Sequence, residues 1–289
     1  MRRFFTYGTL LCSALLIVSC LRTYTPEEML LHAAAANREL RSARFEATVN
    51  MNIKNADAGT YRLRDGILQD DGATLSFLFD AGEGKEKTSA QIVVWQGMEL
   101  YFKILSSTST ESGSVSDTLG NGWWRIPLSS APSFFVSPEP GLLRLQTEAV
   151  KVLSDQGKET LDGRSYRHVT VSLDEAKAVS LLRRVATDRE TTFDEQMVLS
   201  QLRATGATGD LWIDTKTFLT SKITWTTKAG LTFTFAVSDP DDTPPVLPPA
   251  GARTLPDNVP LSAVIQLFFP DGSVTLPINS FFSSPRSYE

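Results

Sequence analysis

Between Phe45 and Leu105 the chain is written almost entirely in period two, and that pattern decides the class of fold. Phe45, Ala47, Val49, Met51 and Ile53 alternate with Glu46, Thr48, Asn50 and Asn52, which predicts a strand with one apolar face. Similar runs follow at Tyr61–Gln69, Ala73–Asp80, Lys87–Gln96 and Met98–Leu105. Asp71-Gly72 and Gln96-Gly97 read as tight hairpin turns. Parallel neighbours need crossovers of roughly a dozen residues or more, and these connections are too short for that. The segment therefore predicts an antiparallel meander.

Helical patterns flank and interrupt the strands. Thr25-Pro26-Glu27-Glu28 is a capping box, and Met29, Ala33, Ala36 and Leu40 recur behind it, predicting a helix to about Ser42. Leu142, Leu145, Ala149, Val152 and Leu153 predict a second helix, ended near Gly157. Ala176, Val179, Leu182 and Val185 form a third stripe. Thr192-Phe193-Asp194-Glu195 reads as another capping box, with a stop near Gly206. Asp162-Gly163 turns the chain into a strand at Tyr166–Leu173. Gly209–Asp214, Phe218–Thr226 and Leu231–Val237 close the unit. Leu231, Phe233, Phe235 and Val237 share one strand face, as do Leu219, Ile223 and Trp225. Ser106–Gly122 and Ser129–Pro140 read as loops. Asp239–Pro260 holds seven of the chain's 15 prolines and reads as linker. Beyond it, Ala263–Phe269 and Ser273–Phe282 flank Pro270-Asp271-Gly272 as a small hairpin. The class is α+β.

The first residues carry a different message. Arg2 and Arg3 precede an apolar run from Phe4 to Val18, as in a secretory signal. The run is shorter than the roughly 20 residues of a spanning helix, although a retained membrane anchor is the alternative. Ile17-Val18-Ser19-Cys20 resembles the lipobox of bacterial lipoproteins, with isoleucine in place of the commoner leucine. The resemblance implies lipidation at Cys20 and a mature chain of Cys20–Glu289, tethered to the cell membrane or outer membrane and facing outside the cytoplasm. Arg2-Arg3 also has a faint likeness to a twin-arginine signal, with general secretion favoured. Removing residues 1–19 from the 289 leaves 270, and removing Arg2 and Arg3 takes the net charge from −5 to −7. Cys12 goes with the signal, so Cys20 alone remains and neither a disulfide nor a cysteine metal cluster can form. An acidic chain without a Lys/Arg cluster is a poor partner for nucleic acid. It is equally unattracted to anionic headgroups, so the lipid must do the anchoring. Leu21–Tyr24 give the tether a reach of roughly 14 Å, with the lipidated tether spanning residues 20–25. Oligomeric state is left open.

The order of elements resembles the lipoprotein-carrier fold of LolA and LolB and of the mycobacterial LppX/LprG lipoproteins. The local matches are Gly97-Met98-Glu99-Leu100-Tyr101-Phe102-Lys103, Gly122-Trp123-Trp124-Arg125-Ile126-Pro127-Leu128, Gly157 to Leu173, Gly209-Asp210-Leu211-Trp212-Ile213-Asp214 and Leu219-Thr220-Ser221-Lys222-Ile223. They span residues 26–250; residues 251–289 lie outside as a C-terminal extension. The resemblance implies a curved antiparallel sheet forming an unclosed half-barrel around helices, with an apolar cavity for acyl chains. Val49, Met51, Phe77, Phe79, Phe102, Val169, Val171, Ile223, Trp225, Phe233 and Phe235 are its candidate lining. The same aromatics also suit an ordinary filled core, and pattern alone favours that. Narrowing the space with Val171→Trp is a test of an open cavity, and the mid-chain helices Leu142–Leu153 and Ala176–Ala204 are its candidate cover.

Chemistry is poorly supplied. His32 lies on the first helix and His168 in a strand, both better explained as structural or solvated. There is no Gly-x-Ser-x-Gly elbow, His-Glu-x-x-His or Walker loop. Without a catalytic Cys or a His–Ser partner, nucleophilic catalysis lacks its activating base. Asp70-Asp71 and Asp241-Asp242 sit where turns favour Asp, rather than in a spaced calcium loop. No catalytic residue, metal ligand or cofactor is expected. Trp123-Trp124 adjoin the Ser/Thr/Gly-rich loop, so at least one of them is expected near the surface. The expected function is non-enzymatic binding of a lipid or other apolar ligand, with transfer in the cell envelope as its use. The alternative is an envelope scaffold or interaction protein with a filled core.

Overall fold

The N-terminal meander is tied into its sheet by the last strands of the chain, because β1 (Ser42–Met51) pairs on one side with β2 (Gly59–Gln69) and on the other with β11 (Leu231–Ser238). The computed structural model describes residues 24–51, 59–82, 87–108, 118–127, 147–188, 193–256 and 258–268. Beyond β2 lie β3 (Thr74–Ala81), β4 (Thr88–Trp95), β5 (Glu99–Ser107) and β6 (Trp124–Pro127). Beyond β11 lie β10 (Thr220–Thr226), β9 (Thr208–Asp214), β8 (Arg164–Leu173) and β7 (Val150–Leu161). With β12 (Arg253–Thr254) the described residues form one sheet of 12 strands, in the order β12-β6-β5-β4-β3-β2-β1-β11-β10-β9-β8-β7. The two ends do not meet, so the sheet is unclosed. Every neighbouring pair is antiparallel except β12 with β6.

Turn chemistry sets the hairpins. Gln96 and Gly97 have φ of 50° and 65°, and Asp162 and Gly163 have 49° and 76°. Both are the two-residue left-handed turns that match strand twist. The β2–β3 connection instead uses a short 3-10 turn at Asp70–Gly72.

Helix α1 (Pro26–Glu39) has the expected capping box, with Thr25 and Glu28 each accepting from the other's backbone N–H. It stops short of Ser42 because Leu40 is already extended. Met29, Leu30 and Ala33 pack on Val169, Val171, Leu211, Ile213 and Ile223. Asn37 fixes the helix to β10: its amide donates to Thr220 Oγ1 at 3.1 Å, and its oxygen accepts from Thr220 N at 3.1 Å. Helices α2 (Glu175–Asp188) and α3 (Glu195–Thr205) pack on each other through Ala178, Val179, Leu182, Val198 and Leu202. Ala178 is the buried residue where the sequence stripe pointed to Ala176, which is exposed. Asp194 caps α3, accepting from Met197 N, so the cap is not Thr192; Gly206 ends the helix in the left-handed conformation.

Two further expectations are corrected. The predicted helix Leu142–Leu153 gives way, within the described residues, to β7 from Val150 onward. Gly157, with φ of 92°, sits at a bulge inside that strand rather than at a helix end. The strand expected at Ala263–Phe269 is instead helix α4 (Leu261–Phe268). Its proposed hairpin partner, Ser273–Phe282, lies outside the described residues.

The segment between β11 and β12 is anchored, not loose. Asp241 N donates to Ser42 O, while Asp241 Oδ1 accepts from Arg41 N and Ser42 N. Gln69 clamps the next turn: its amide donates to Thr243 Oγ1 and Pro244 O, and its oxygen accepts from Val246 N at 2.9 Å. Val246 is then buried on Val93 and Tyr101, and Arg253 reaches β6. The segment is a strap across one face of the sheet. Past β12 the chain turns onto the other face, where Val259, Val264 and Phe268 join the main core.

Candidate functional site

Strand register places the candidate lining on one face, here the inner one. One row across the sheet reads Val171, Gly209, Trp225, Phe233, Val49 and Tyr61. The next reads Val169, Leu211, Ile223, Phe235, Ala47, Leu63 and Phe79. A third carries Phe77, Ile92, Phe102 and Trp124. Met51 pairs with Leu231 at the strand end, and its side chain lies outside the described residues. Gly209 matters in the first row. A Cβ there would come within 2.7 Å of the Trp225 indole, so the glycine makes room for that ring.

The three rows are not equally covered. Val169 and Val171 are 0 % exposed beneath α1, and Ile223 is buried with them. At the other end Phe79 and Phe102 are buried, and α4 lies against them. Between these ends Trp225, Phe233, Val49 and Phe77 remain only half-buried. The aromatic rings form a connected series, with centroids 6.3 Å apart for Phe233–Phe235, 5.6 Å for Phe235–Phe45 and 6.1 Å for Phe45–Phe77. The strip has no ionisable side chain of its own. What it offers is apolar area without directional bonding groups.

Away from the strap, over β1 and β8 to β11, the opposite face carries a polar row. Glu46, Ala236, Lys222, Trp212 and His168 lie in one row there. His168 stacks on the Trp212 ring at 4.4 Å while Lys222 Nζ sits 4.6 Å from the same ring's centroid. The imidazole bridges two carboxylates, with Nε2 3.1 Å from Asp210 and Nδ1 3.4 Å from Glu159. This is a structural network that holds His168 in place. His32, likewise, packs with Tyr24 and Phe218. A cleft of about 510 Å³ opens beside the row, lined by Arg44, Glu46, Asp65, Arg164, Trp212 and Lys222 among others. A second, of about 390 Å³, adjoins it at Arg164, Ser221 and Val237. Charges of both signs line the larger cleft, so it is not an apolar cavity. Among the described residues no three His, Cys, Asp or Glu are grouped to hold a metal, and no helix is long and apolar enough to cross a membrane.

The two tryptophans differ in burial. Trp124 is buried, donating Nε1–H to Leu119 O at 3.0 Å, and Trp123 is half-buried under the strap. Sequence reasoning missed Val264 and Phe268, which reach the same inner face from outside the family-like segment. Their signal was an uncharged apolar run following Pro260.

No protein-family model matches the chain, and no curated protein matches it. Solved structures similar to it include LprF from Mycobacterium bovis, at 15% identity over 78% of this chain and 97% of that one, TM-score 0.45. LppX from Mycobacterium tuberculosis follows at 11% identity, covering 77% and 100%, TM-score 0.34. A LolA superfamily protein from Nitrosomonas europaea stands at 12%, 77% and 96%, with a TM-score of 0.28.

Proposed function

We propose that this chain is an extracytoplasmic lipoprotein, anchored through Cys20, that holds an acyl chain against the inner face of its sheet. The observation that carries the reading is the half-buried strip of Trp225, Phe233, Val49 and Phe77 between two helix-covered ends. An acyl chain laid along it would be removed from water at about 0.8 kcal/mol per methylene. The residues 26–250 would be the binding unit, and transfer between membranes its use. The reading needs no catalytic group, metal or cofactor; lipid and membrane are its partners. A filled-core scaffold is the second reading, favoured by the complete burial of Val169, Val171 and Phe102. That burial also makes Val171→Trp a test of core packing, so the strip itself is the better target.

The test uses the chain from Leu21 to Glu289 titrated with 9,10-dibromostearic acid, whose bromines quench nearby indoles. Saturable quenching that is largely lost in Trp225→Phe supports the reading. No saturable quenching, or equal quenching in Trp225→Phe, turns the choice to the scaffold.

A further inference from the structure

Two of the residues expected to line the acyl site, Phe79 and Phe102, are already in contact with a side chain of the protein itself. Phe268 meets the Phe79 ring edge-on at 5.6 Å and the Phe102 ring at 6.0 Å, and it is 1 % exposed. Val264, one turn earlier, is also 1 % exposed in the same cluster. We infer that α4 is a built-in occupant of the inner face, competing with an acyl ligand and leaving when one binds. The inference rests on the acyl-binding reading and adds a regulatory step to it.

The chemistry of α4 fits the role. Leu-Ser-Ala-Val-Ile-Gln-Leu-Phe has no charge. Ser262 and Gln266 are exposed while Val264 and Phe268 point inward. This presents to the sheet what an acyl chain presents, apolar surface without directional bonds. The attachment differs from that of α1, which Asn37 bonds to β10 and Arg38 pairs to Glu148 at 2.9 Å. Backbone bonds around the start of α4 are local, from Val259 N to Pro256 O and from Ala263 N to Pro260 O, both 2.9 Å. The strap is held at Gln69 and at β6, so displacement of α4 need not disturb it; Pro256 and Pro260 lie between the fixed strand and the helix. Exchange of one apolar occupant for another avoids leaving Phe79 and Phe102 bare, which would expose a contiguous apolar patch.

The experiment titrates cis-parinaric acid into the chain from Leu21 to Glu289 and into Phe268→Ala, with circular dichroism and urea unfolding to establish that each is folded. Weakening the internal competitor should tighten probe binding at least tenfold. In parallel, Phe268→p-benzoylphenylalanine is photo-crosslinked to the sheet in the same chain. The crosslink should fall as probe saturates, with the same midpoint as binding. Probe that binds equally well or more weakly to folded Phe268→Ala, or a crosslink unchanged at saturation, overturns the inference while leaving acyl binding intact. If Phe268→Ala does not fold, the crosslink decides. Binding by neither wild type nor folded Phe268→Ala overturns acyl binding and this inference together.

Discussion

At the scale of single residues, the fold shows where charge contributes and where it is only tolerated. Asp80 on β3 accepts from Arg64 Nε at 2.6 Å and from Ser89 Oγ at 2.8 Å. The Arg64 hydrogen bond holds the Asp80 carboxyl below its ordinary value, against a smaller opposing effect of burial. A group depressed in the folded state contributes stability above its unfolded value and loses it as pH falls through the folded one. Asp80→Asn should therefore cost about 0.5 kcal/mol at pH 7, the partly exposed pair being screened by solvent. The gap between wild type and variant should close as pH drops below about 4. Urea midpoints at pH 7, 4 and 2.5 check this; a gap independent of pH would contradict it.

At the scale of elements, the strap hangs on Gln69, whose one amide satisfies three groups of residues 243–246. Gln69→Leu should cost about 1–3 kcal/mol, because Val246 N–H is left part-buried without its acceptor. Amide exchange at Val246 should accelerate while that of β9 and β10 does not. Elements also show what the sequence could convey. The meander was legible because β1 to β5 keep one parity along most of their length and turn on Gln96-Gly97. β7 was not, because its bulges between Val152 and Ser154 and between Asp155 and Gly157 each shift the register. Two such shifts erase period two, and Leu142, Leu145, Ala149 and Val152 then happen to match a helical stripe. Helix α4 was misread for another reason: a short apolar run with Val264 and Ile265 has no period that separates strand from helix. Period two alone placed the candidate lining residues of each strand on one face. What no single strand could tell was that Val169 and Val171 would lie under α1 and Phe102 under α4.

At the scale of the whole molecule, assembly of the sheet depends on residues far apart in sequence. β1 takes β11 as a neighbour through eight residue pairs from Arg44–Ser238 to Met51–Leu231. A chain ending at Val150 loses that partner and bares the inner face, so it should show no native-like dispersion in its NMR spectrum. Dispersion like that of the full chain would mean the meander folds alone. Cys20→Ala should block lipid attachment and leave precursor in the cell, read by incorporation of labelled fatty acid; label in the variant would refute lipidation at Cys20. If that anchoring holds, copies of the protein are crowded onto one surface, and the edge of β7 gains a second meaning. A flat, 12-residue border strand on crowded neighbours would invite strand-to-strand growth into fibrils. The Gly157 kink and the two slips in register bend that border away from a straight template. The irregularity that hid β7 from the sequence thus makes that border a poorer template for a second strand.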